Sequence, residues 1–269
     1  MDAAEKRNKL ISLAKGVISN PANENEIKYL LHRFALTEED LIQAYLDWDL
    51  SPDSYGNEIY DFVPIRFAMY LHYLLPGSWH EARQDIITNI LDDYPSGTIV
   101  DVGFGAPQRY IKNLVLKYDN FKLTLCEPYQ SAFAFSEILL SYWNSNWRRK
   151  ITFKKYDMDK DGYVGDFDTY LFLDSIEHSQ NPSKYLTSLV KKSPAAAKFI
   201  FSLPVEWTTA KSEYINWSSD NEALNWLRSC GLDVHFSKKI EINPEIDVFA
   251  EGSHYHQLIV ECSKINPGR

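Results

Sequence analysis

Apolar residues in the first eighty positions recur every three or four residues, the spacing that places them on one face of an α-helix. One set is Leu10, Leu13, Ala14, Val17 and Ile18, and a second is Ile27, Leu30, Leu31, Phe34 and Ala35. Thr37 precedes three acidic residues and Ser78 stands three residues before Glu81, two patterns typical of helix starts. The pattern predicts a helical extension over residues 1–80.

After residue 97 the pattern changes to short β-branched and aromatic runs separated by helical stretches. The predicted strands are 98–102, 121–126, 151–156, 169–173 and 198–203, followed by 232–242 and 255–262. Strands that alternate with helices predict a doubly wound, mostly parallel sheet of the Rossmann-like α/β class. The last two strands have no helix between them and predict an antiparallel hairpin at one edge. The predicted α/β domain covers residues 81–269.

Composition narrows the classes of partner. The chain has 269 residues, a net charge of −9 and a pI near 5.3. Because nucleic-acid binding depends on clustered Lys and Arg, this charge argues against a nucleic-acid partner. Cys126, Cys230 and Cys262 are widely spaced, which predicts buried thiols in a reducing compartment. No apolar run has the length of a signal peptide or a membrane span, so we expect a cytoplasmic protein with no membrane partner.

Candidate chemistry lies at the predicted strand ends, because ligands of an open parallel sheet bind beyond its carboxyl edge. The first strand is followed by Asp101, Gly103 and Gly105, and the second by Glu127. The glycines allow a sharp turn and close approach to a ligand, and Glu127 is placed to accept hydrogen bonds from ribose hydroxyls. The third glycine of a dinucleotide fingerprint would fall at Gln108. Its absence and the acid at Asp101 disfavour a diphosphate and favour an amino-acid-like ligand.

Four segments, taken in order, resemble the motifs of the class I S-adenosylmethionine-dependent methyltransferases of the small-molecule type. They are Asp101-x-Gly103-x-Gly105, Glu127, Asp157-Met158, and FDTYLFLDSIEHSQNPSKYL, in which Glu177-His178 and Asn181-Pro182 are similar to an "EH…P" segment. The resemblance covers residues 81–263 and departs from the family at Ala106-Pro107, where another glycine is common. It implies S-adenosyl-L-methionine as cofactor and methyl transfer to an unidentified small-molecule acceptor.

The resemblance implies roles for the residues of the first two strand ends. Gly103 and Gly105 would pass under the methionine part of the cofactor. Asp101 would orient that loop or the ammonium group of the cofactor. Glu127, which is followed by Pro128, would hold the ribose diol. These residues form the first half of the expected cofactor site.

The third and fourth strand ends would complete the site. Asp157 would accept a hydrogen bond from the adenine amino group, and Met158 would pack on or beside the ring. Asp174 and Ser175 would border the sulfonium and the acceptor. Because histidine side chains in general titrate near neutrality, His178 is the first candidate for a general base, with a tyrosine or Asp174 next, if the acceptor must lose a proton.

Aromatic residues are abundant, with 17 Tyr, 14 Phe and 7 Trp, which favours a pocket for a flat or aromatic acceptor. A helical N-terminal extension often covers the acceptor side in this superfamily, so the resemblance also implies a lid. The residues that we expect to contact the acceptor are Tyr55, Tyr60, Phe62, Arg66 and Tyr70, with Trp207 and Tyr214 after the fifth strand.

Two patterns compete as metal sites. The acidic positions of a calcium-binding EF-hand loop would be taken by Asp157, Asp159, Asp161 and Asp168, with Gly162 at the turn. An EF-hand has a helix on each side, whereas strands are predicted here, so we expect no calcium. His254 and His256 alternate on one face of the last strand, but no third ligand lies near them in sequence. We therefore expect no metal at either place.

Two other functions stay open at this stage. A NAD-dependent oxidoreductase would use the same kind of core, and a non-catalytic partner protein would keep the fold without the activity. The complete set of strand-end acids argues against loss of activity. The motifs are compatible with carboxyl, hydroxyl, amine and carbon acceptors, and they do not define the oligomeric state.

Overall fold

The N-terminal region is helical, as the apolar periodicity predicts. A computed structural model describes residues 2–50, 56–93, 96–206, 213–243, 245–247 and 255–265. The first helices are α1 (Ala3–Ile18), α2 (Glu24–Phe34), α3 (Glu38–Leu50) and α4 (Val63–Tyr73), with a short 3-10 helix at Gly56–Asp61. The apolar faces of α1, α2 and α3 are buried at Leu10, Ile27 and Leu41. Helix α2 ends where Ala35 takes a left-handed conformation.

The helix start predicted at Ser78 is confirmed. Helix α5 (Trp79–Asp92) follows directly, and the Ser78 hydroxyl accepts a hydrogen bond from the Glu81 N–H at 3.3 Å. The Glu81 carboxylate in turn accepts from the Gly77 N–H at 2.8 Å. The first bond satisfies a backbone donor in the first turn of α5, and the second attaches the preceding residue Gly77 to that turn.

The rest of the described chain forms one seven-stranded sheet with flanking helices. Its elements are β1 (Gly97–Val102), α6 (Arg109–Lys117), β2 (Phe121–Glu127), α7 (Gln130–Trp143), β3 (Ile151–Lys155), β4 (Thr169–Leu173), α8 (Pro182–Lys192), β5 (Lys198–Val205), α9 (Asp220–Ser229), β6 (Leu232–Glu241) and β7 (His256–Lys264). The strand order is β3-β2-β1-β4-β5-β7-β6. Strands β1 to β5 are parallel, and β7 runs antiparallel to β5 and β6. The predicted fold class is confirmed.

Strand order reverses between β1 and β4. From β1 the chain adds β2 and β3 on one side, and then returns to place β4 on the other side of β1. The register pairs Ile99 with Thr169 and Asp101 with Leu171, so the carboxyl ends of β1 and β4 lie side by side. This is the position at which a doubly wound sheet forms a ligand crevice.

Two apolar clusters cover the faces of the sheet. The larger cluster includes Leu10 of α1 and Leu171 of β4, so the N-terminal helices share a core with the sheet. The second packs α8 and α9 on the other face. Cys126, Cys230 and Cys262 are buried free thiols, as predicted. Within the described parts of the chain, no helix combines the length and the apolar character needed to cross a bilayer.

Candidate active site

The carboxyl end of β1 carries a fully buried carboxylate, Asp101. The Tyr110 hydroxyl in the first turn of α6 donates a hydrogen bond to its Oδ2. Its Oδ1 has no hydrogen-bond partner among the described residues. Burial raises the pKa of Asp101 to about 7, although the bond from Tyr110 and the charge of Arg83 both lower it. Asp101 therefore presents one unused acceptor at the crevice.

Both glycines after β1 have backbone conformations that favour glycine. Their φ angles are +78° at Gly103 and +65° at Gly105. An added Cβ would lie 2.7 Å from the Ser175 Cβ at Gly103, and 2.8 Å from the Met69 Cε at Gly105. The loop is thus held between the end of β4 and helix α4: Gly103 has no room for a side chain, whereas a Cβ at Gly105 would have to displace the end of the Met69 side chain.

Replacing Gly103 with Ala should lower the unfolding free energy by about 1 to 3 kcal/mol, because left-handed backbone strain adds to the overlap with Ser175. Gly16 of α1 is the matched control, since an added Cβ there meets nothing within 4 Å. Gly16→Ala should stabilise the protein by up to about 1 kcal/mol. Urea denaturation measures both changes, and shifts of the same sign would contradict the expectation.

The end of β2 holds a buried ion pair. Nη2 of Arg66 in α4 lies 2.7 Å from Oε1 of Glu127, and the Gly105 N–H donates to Oε2 at 3.3 Å. Nη1 of Arg66 donates to the Gly105 carbonyl at 3.1 Å. The guanidinium lies 5.5 Å from the Tyr60 ring and 5.7 Å from the Tyr129 ring. These contacts fix Glu127, the glycine loop and α4 to one another.

Arg66 and Tyr60 are predicted from the sequence to contact the acceptor, and the structure brings both beside Glu127 at the end of β2. Burial raises the pKa of Tyr60, and the charges of Asp174 and Glu127 add to the rise. Tyr60 therefore lies within electrostatic reach of both strand ends. A contact with the acceptor stays a prediction for these two residues.

The loop after β3 carries the predicted adenine-binding residues. Oδ2 of Asp157 pairs with Lys160 at 2.7 Å, and Oδ1 accepts from the Asp159 N–H at 3.0 Å. Met158 is half-buried and packs on the apolar cluster that contains β4 and β5. Pro128 is also half-buried, at the end of the neighbouring strand β2. These residues border the same edge of the sheet as Glu127.

The acids of the calcium-loop pattern have separate partners. Asp159 accepts from the Ser179 hydroxyl at 2.8 Å. Asp168 accepts from the Thr98 N–H at 2.7 Å, at the amino end of β1 and therefore at the opposite edge of the sheet from Asp157. Strands β3 and β4 flank the loop, as predicted. Across the described ranges, no three His, Cys, Asp or Glu side chains are grouped to hold a metal ion.

Asp174 directly follows the last residue of β4, and its φ is +62°. Its Oδ1 accepts from Nε2 of Gln257 in β7 at 3.0 Å, and Oε1 of Gln257 accepts from the Ser202 hydroxyl of β5 at 2.7 Å. This chain of bonds positions Asp174 from two neighbouring strands. Ser175 is buried, and its hydroxyl has no hydrogen-bond partner in the described part of the chain.

Three carboxyl groups, Asp174, Glu177 and Glu213, meet beyond the end of β4, and we name them the acid group. Glu177 is fully buried in the 3-10 helix Ile176–His178. Burial raises its pKa well above the usual range, and the charges of Asp174 and Glu213 raise it further. Burial and the charge of Asp174 raise the pKa of Glu213 to about 8. The Tyr214 N–H donates to the Glu177 carbonyl at 2.8 Å, which holds the two segments together.

The remaining acceptor residues are not brought together. The side chains of Phe62 and Tyr214 are exposed. The Tyr70 hydroxyl donates to Glu26 of α2, and the Tyr70 ring contacts the Trp143 ring of α7. These contacts join Tyr70 to helices rather than to a strand end. Tyr55 and Trp207 lie outside the described residues.

The predicted histidines occupy different surroundings. His178 is half-buried beside the acid group, and its backbone N–H donates to the Ser175 carbonyl at 3.2 Å. Its role as a base stays a prediction. Nε2 of His256 lies 2.5 Å from Oδ1 of Asp220 in α9. His254 lies outside the described residues.

Arg83 of α5 is a site residue that sequence reasoning missed. It is buried, and its guanidinium lies 4.7 Å from the Trp79 ring. Nη2 donates to Oε1 of Gln108 at 3.1 Å, whereas Nε and Nη1 have no partner among the described residues. One feature of the sequence could have identified it: Arg83 is four residues from both Trp79 and Ile87, which places a charged residue on the apolar face of a helix.

Tyr73 of α4 connects the two halves of the site. Burial raises its pKa to about 12. The charges of Arg83, Arg66, Asp174 and Asp101 also act on it, so Tyr73 lies within electrostatic reach of all four. Glu213, Gln257 and Tyr255 were also missed, since no sequence motif marks them and the fold brings them to β4 from distant segments.

No protein-family model and no curated protein matches the sequence. Solved structures do match. The [4+2]-cyclase SpnF matches with a TM-score of 0.55 and 12% identity over 70% of this chain and 83% of that chain. Magnesium protoporphyrin IX methyltransferase (ChlM) from Synechocystis PCC 6803, solved with bound SAM, matches with a TM-score of 0.53 and 14% identity over 84% and 97%. N-methyltransferase NodS from Bradyrhizobium japonicum WM9, in complex with S-adenosyl-l-homocysteine, matches with a TM-score of 0.54 and 10% identity over 71% and 91%.

The chain therefore has the Rossmann-like fold of the class I S-adenosylmethionine-dependent methyltransferases. The resemblance stated from the motifs is confirmed at the level of the fold. Because the identities are low, the similarity establishes the architecture, and an argument about activity depends on the residues at the strand ends.

Proposed function

We propose that this protein binds S-adenosylmethionine at the adjoining ends of β1 and β4 and transfers its methyl group to a small-molecule acceptor. One observation carries the proposal. Asp101 and Arg83 are buried, of opposite charge, and each has unused hydrogen-bonding atoms among the described residues. Such groups are costly without a ligand, which makes them indicators of a binding site.

The two groups are complementary to an α-amino acid. The free Oδ1 of Asp101 suits an ammonium group, and Nε and Nη1 of Arg83 suit a carboxylate. The methionine end of S-adenosylmethionine carries both an ammonium group and a carboxylate, whereas NAD has no amino-acid group to place there. The unpaired atoms of Asp101 and Arg83 also favour a protein that binds a ligand over a non-catalytic protein that has lost its site.

The nucleoside would lie along the ends of β2 and β3. Glu127 would accept from the ribose diol, which would share or replace the hydrogen bonds from Arg66 and Gly105. Pro128, Met158 and Asp157 would border the adenine. Residues 1–80 would cover the site through α4, as a lid.

The reaction depends on placement. When bound, the cofactor supplies a methyl group on a positively charged sulfur, and the acceptor, the methyl carbon and the sulfur must be in line. Asp174 and Ser175 would orient the reacting groups from the end of β4. His178 would remove a proton where the acceptor requires it.

The named neighbours support cofactor binding more directly than methyl transfer. Two of them are methyltransferases solved with SAM or S-adenosylhomocysteine. One is instead a [4+2]-cyclase, so similar architecture also accompanies another reaction. Cofactor binding and methyl transfer therefore need separate measurements.

Calorimetry with S-adenosylhomocysteine, 5′-methylthioadenosine and NAD tests the proposal. Arg83→Met should weaken binding of S-adenosylhomocysteine by about tenfold or more, because a charged hydrogen bond to the carboxylate is lost. Binding of 5′-methylthioadenosine, which lacks the amino-acid end, should not change.

Arg33→Met, at an exposed position of α2, is the matched control and should leave all three titrations unchanged. Tighter binding of NAD than of S-adenosylhomocysteine would overturn the cofactor assignment. An equal loss for both nucleosides in Arg83→Met would show that Arg83 does not contact the amino-acid end. Radiolabelled methyl transfer to a metabolite extract then tests the reaction.

A further inference from the structure

The backbone of Asp174 is attached to strand β5 and lies beside the glycine loop. Its φ of +62° is uncommon for a residue other than glycine. Its N–H donates to the carbonyl of Ser202 in β5 at 3.0 Å. The next residue, Ser175, has its Cβ 2.7 Å from the position that a Cβ at Gly103 would take. An unusual backbone conformation at a ligand crevice indicates that the placement of this side chain matters.

The carboxylate of Asp174 is held by Gln257 of β7, which is fully buried. Nε2 of Gln257 donates to Oδ1 of Asp174 at 3.0 Å, and it also donates to the Tyr255 hydroxyl. Oε1 of Gln257 accepts from the Ser202 hydroxyl at 2.7 Å. Both ends of the Gln257 amide are therefore engaged within the protein.

Ser202 determines which end of the amide faces Asp174. An ionised carboxylate only accepts hydrogen bonds, so it needs the N–H end of the amide, and the carbonyl end must then meet a donor. The Ser202 hydroxyl is that donor, and it is fully buried. In the reversed orientation the amide oxygen would face the carboxylate, and two acceptors would be in contact away from water. The bonds therefore keep a donor beside Asp174.

A second carboxyl group also meets Asp174. Glu177 is fully buried and shares a side-chain hydrogen bond with Asp174. Two carboxyl groups share such a bond when one of them carries a proton. Burial raises the pKa of Glu177 well above its usual range, so Glu177 keeps the proton and donates. Asp174, which is half-buried, accepts from both neighbours and carries the negative charge of the pair.

We propose that Gln257 is a positioning residue, which holds the ionised Asp174 carboxylate toward the positively charged sulfur of S-adenosylmethionine. This inference rests on the proposed function and deepens it. A carboxylate near that sulfur favours S-adenosylmethionine over S-adenosylhomocysteine, in which the sulfur is neutral. The charge would also assist the exchange of product for substrate. Because Gln257 is fully buried, it acts through Asp174 and not by contact with the ligand.

Calorimetry without an acceptor tests the inference, through the Kd of S-adenosylhomocysteine divided by the Kd of S-adenosylmethionine. Asp174→Asn should lower this ratio by about tenfold, because the charge is lost. Gln257→Leu should lower it by about fivefold, because Asp174 loses its donor. Ser202→Ala, which only releases the amide, should lower it by about two- to threefold. The affinity for S-adenosylhomocysteine should change little in all three.

A double variant separates positioning from packing. On the Asp174→Asn background, Gln257→Leu should not lower the ratio further, because no charge remains to be positioned. A loss of packing would instead weaken both ligands alike. Gln43→Leu is the matched control, since Nε2 of Gln43 donates to Oδ1 of Asp47 at 2.7 Å at an exposed position of α3. It should leave the ratio unchanged.

The outcomes distinguish this inference from the proposed function. If both ligands bind the parent protein and the ratio is unchanged in Asp174→Asn, or in both Gln257→Leu and Ser202→Ala, the role of Gln257 is overturned and the cofactor proposal stands. An equal fall of the ratio for Gln257→Leu on both backgrounds would also overturn it. If neither ligand binds the parent protein, both are overturned. Ser202→Ala keeps the test decisive if Gln257→Leu does not fold.

Discussion

Replacing Glu127 with Ala should lower the free energy of unfolding by about 3 to 5 kcal/mol, because it leaves the buried Arg66 guanidinium without its counter-charge. The side chains of both partners are more than nine-tenths buried, so water cannot replace the lost carboxylate. The Gly105 N–H also loses its acceptor. Chemical denaturation at neutral pH measures the change.

A second substitution separates stability from ligand binding. Arg66→Met on the Glu127→Ala background removes the stranded charge, and should recover most of the lost stability. Affinity for S-adenosylhomocysteine should stay low in the double variant, because the ribose diol still lacks its acceptor. Recovery of affinity together with stability would mean that Glu127 serves only the fold.

Replacing Asp101 with Asn should stabilise the protein at pH 8 and have little effect at pH 4. Burial raises the Asp101 pKa from 3.8 to about 7, so the folded state holds this proton more tightly than the unfolded state. The resulting stabilisation is fully present below about pH 4 and is lost as the pH rises through about 7. The loss amounts to about 4 kcal/mol at alkaline pH. Asn has no such ionisation.

Denaturation of both proteins at pH 4, 6 and 8 checks this expectation. Asp233→Asn, at an exposed position of β6, is the control and should show a constant difference from the parent protein. A constant difference for Asp101→Asn as well would contradict the assigned pKa. The Asn variant should at the same time bind S-adenosylhomocysteine about tenfold or more weakly, because the ammonium loses a charged partner. Gain of stability with loss of affinity is typical of a binding residue.

The strands were predictable because each is a short apolar run bounded by glycines or polar residues. Predicted and observed boundaries agree within one or two residues at β1, β2 and β4. Strand β5 is longer than expected, since it continues through Pro204 to Val205. Its pairing with β4 ends at Ser202, so Pro204 has a strand neighbour on one side only, where proline is tolerated.

The site was predictable only where sequence order determines position. Asp101, Glu127 and Asp174 follow strands, and parallel strands bring such positions to one edge. The contacts of Arg66 and Arg83 depend on how α4 and α5 cross the sheet, which local periodicity does not encode. Glu213 reaches Glu177 through the long connection after β5. The positions of the charged side chains on α4 and α5 therefore follow from the structure and not from the sequence pattern.

The position of β7 has a consequence for the order in which the fold is assembled. Strand β6 is synthesised before β7, yet among the described residues its one strand neighbour is β7, which separates it from β5. On the ribosome, β6 has no partner until residues 256–264 have emerged, and its polar groups must meanwhile be satisfied by water or a chaperone. Strand β6 therefore joins the sheet no earlier than β7 does, although it is synthesised first.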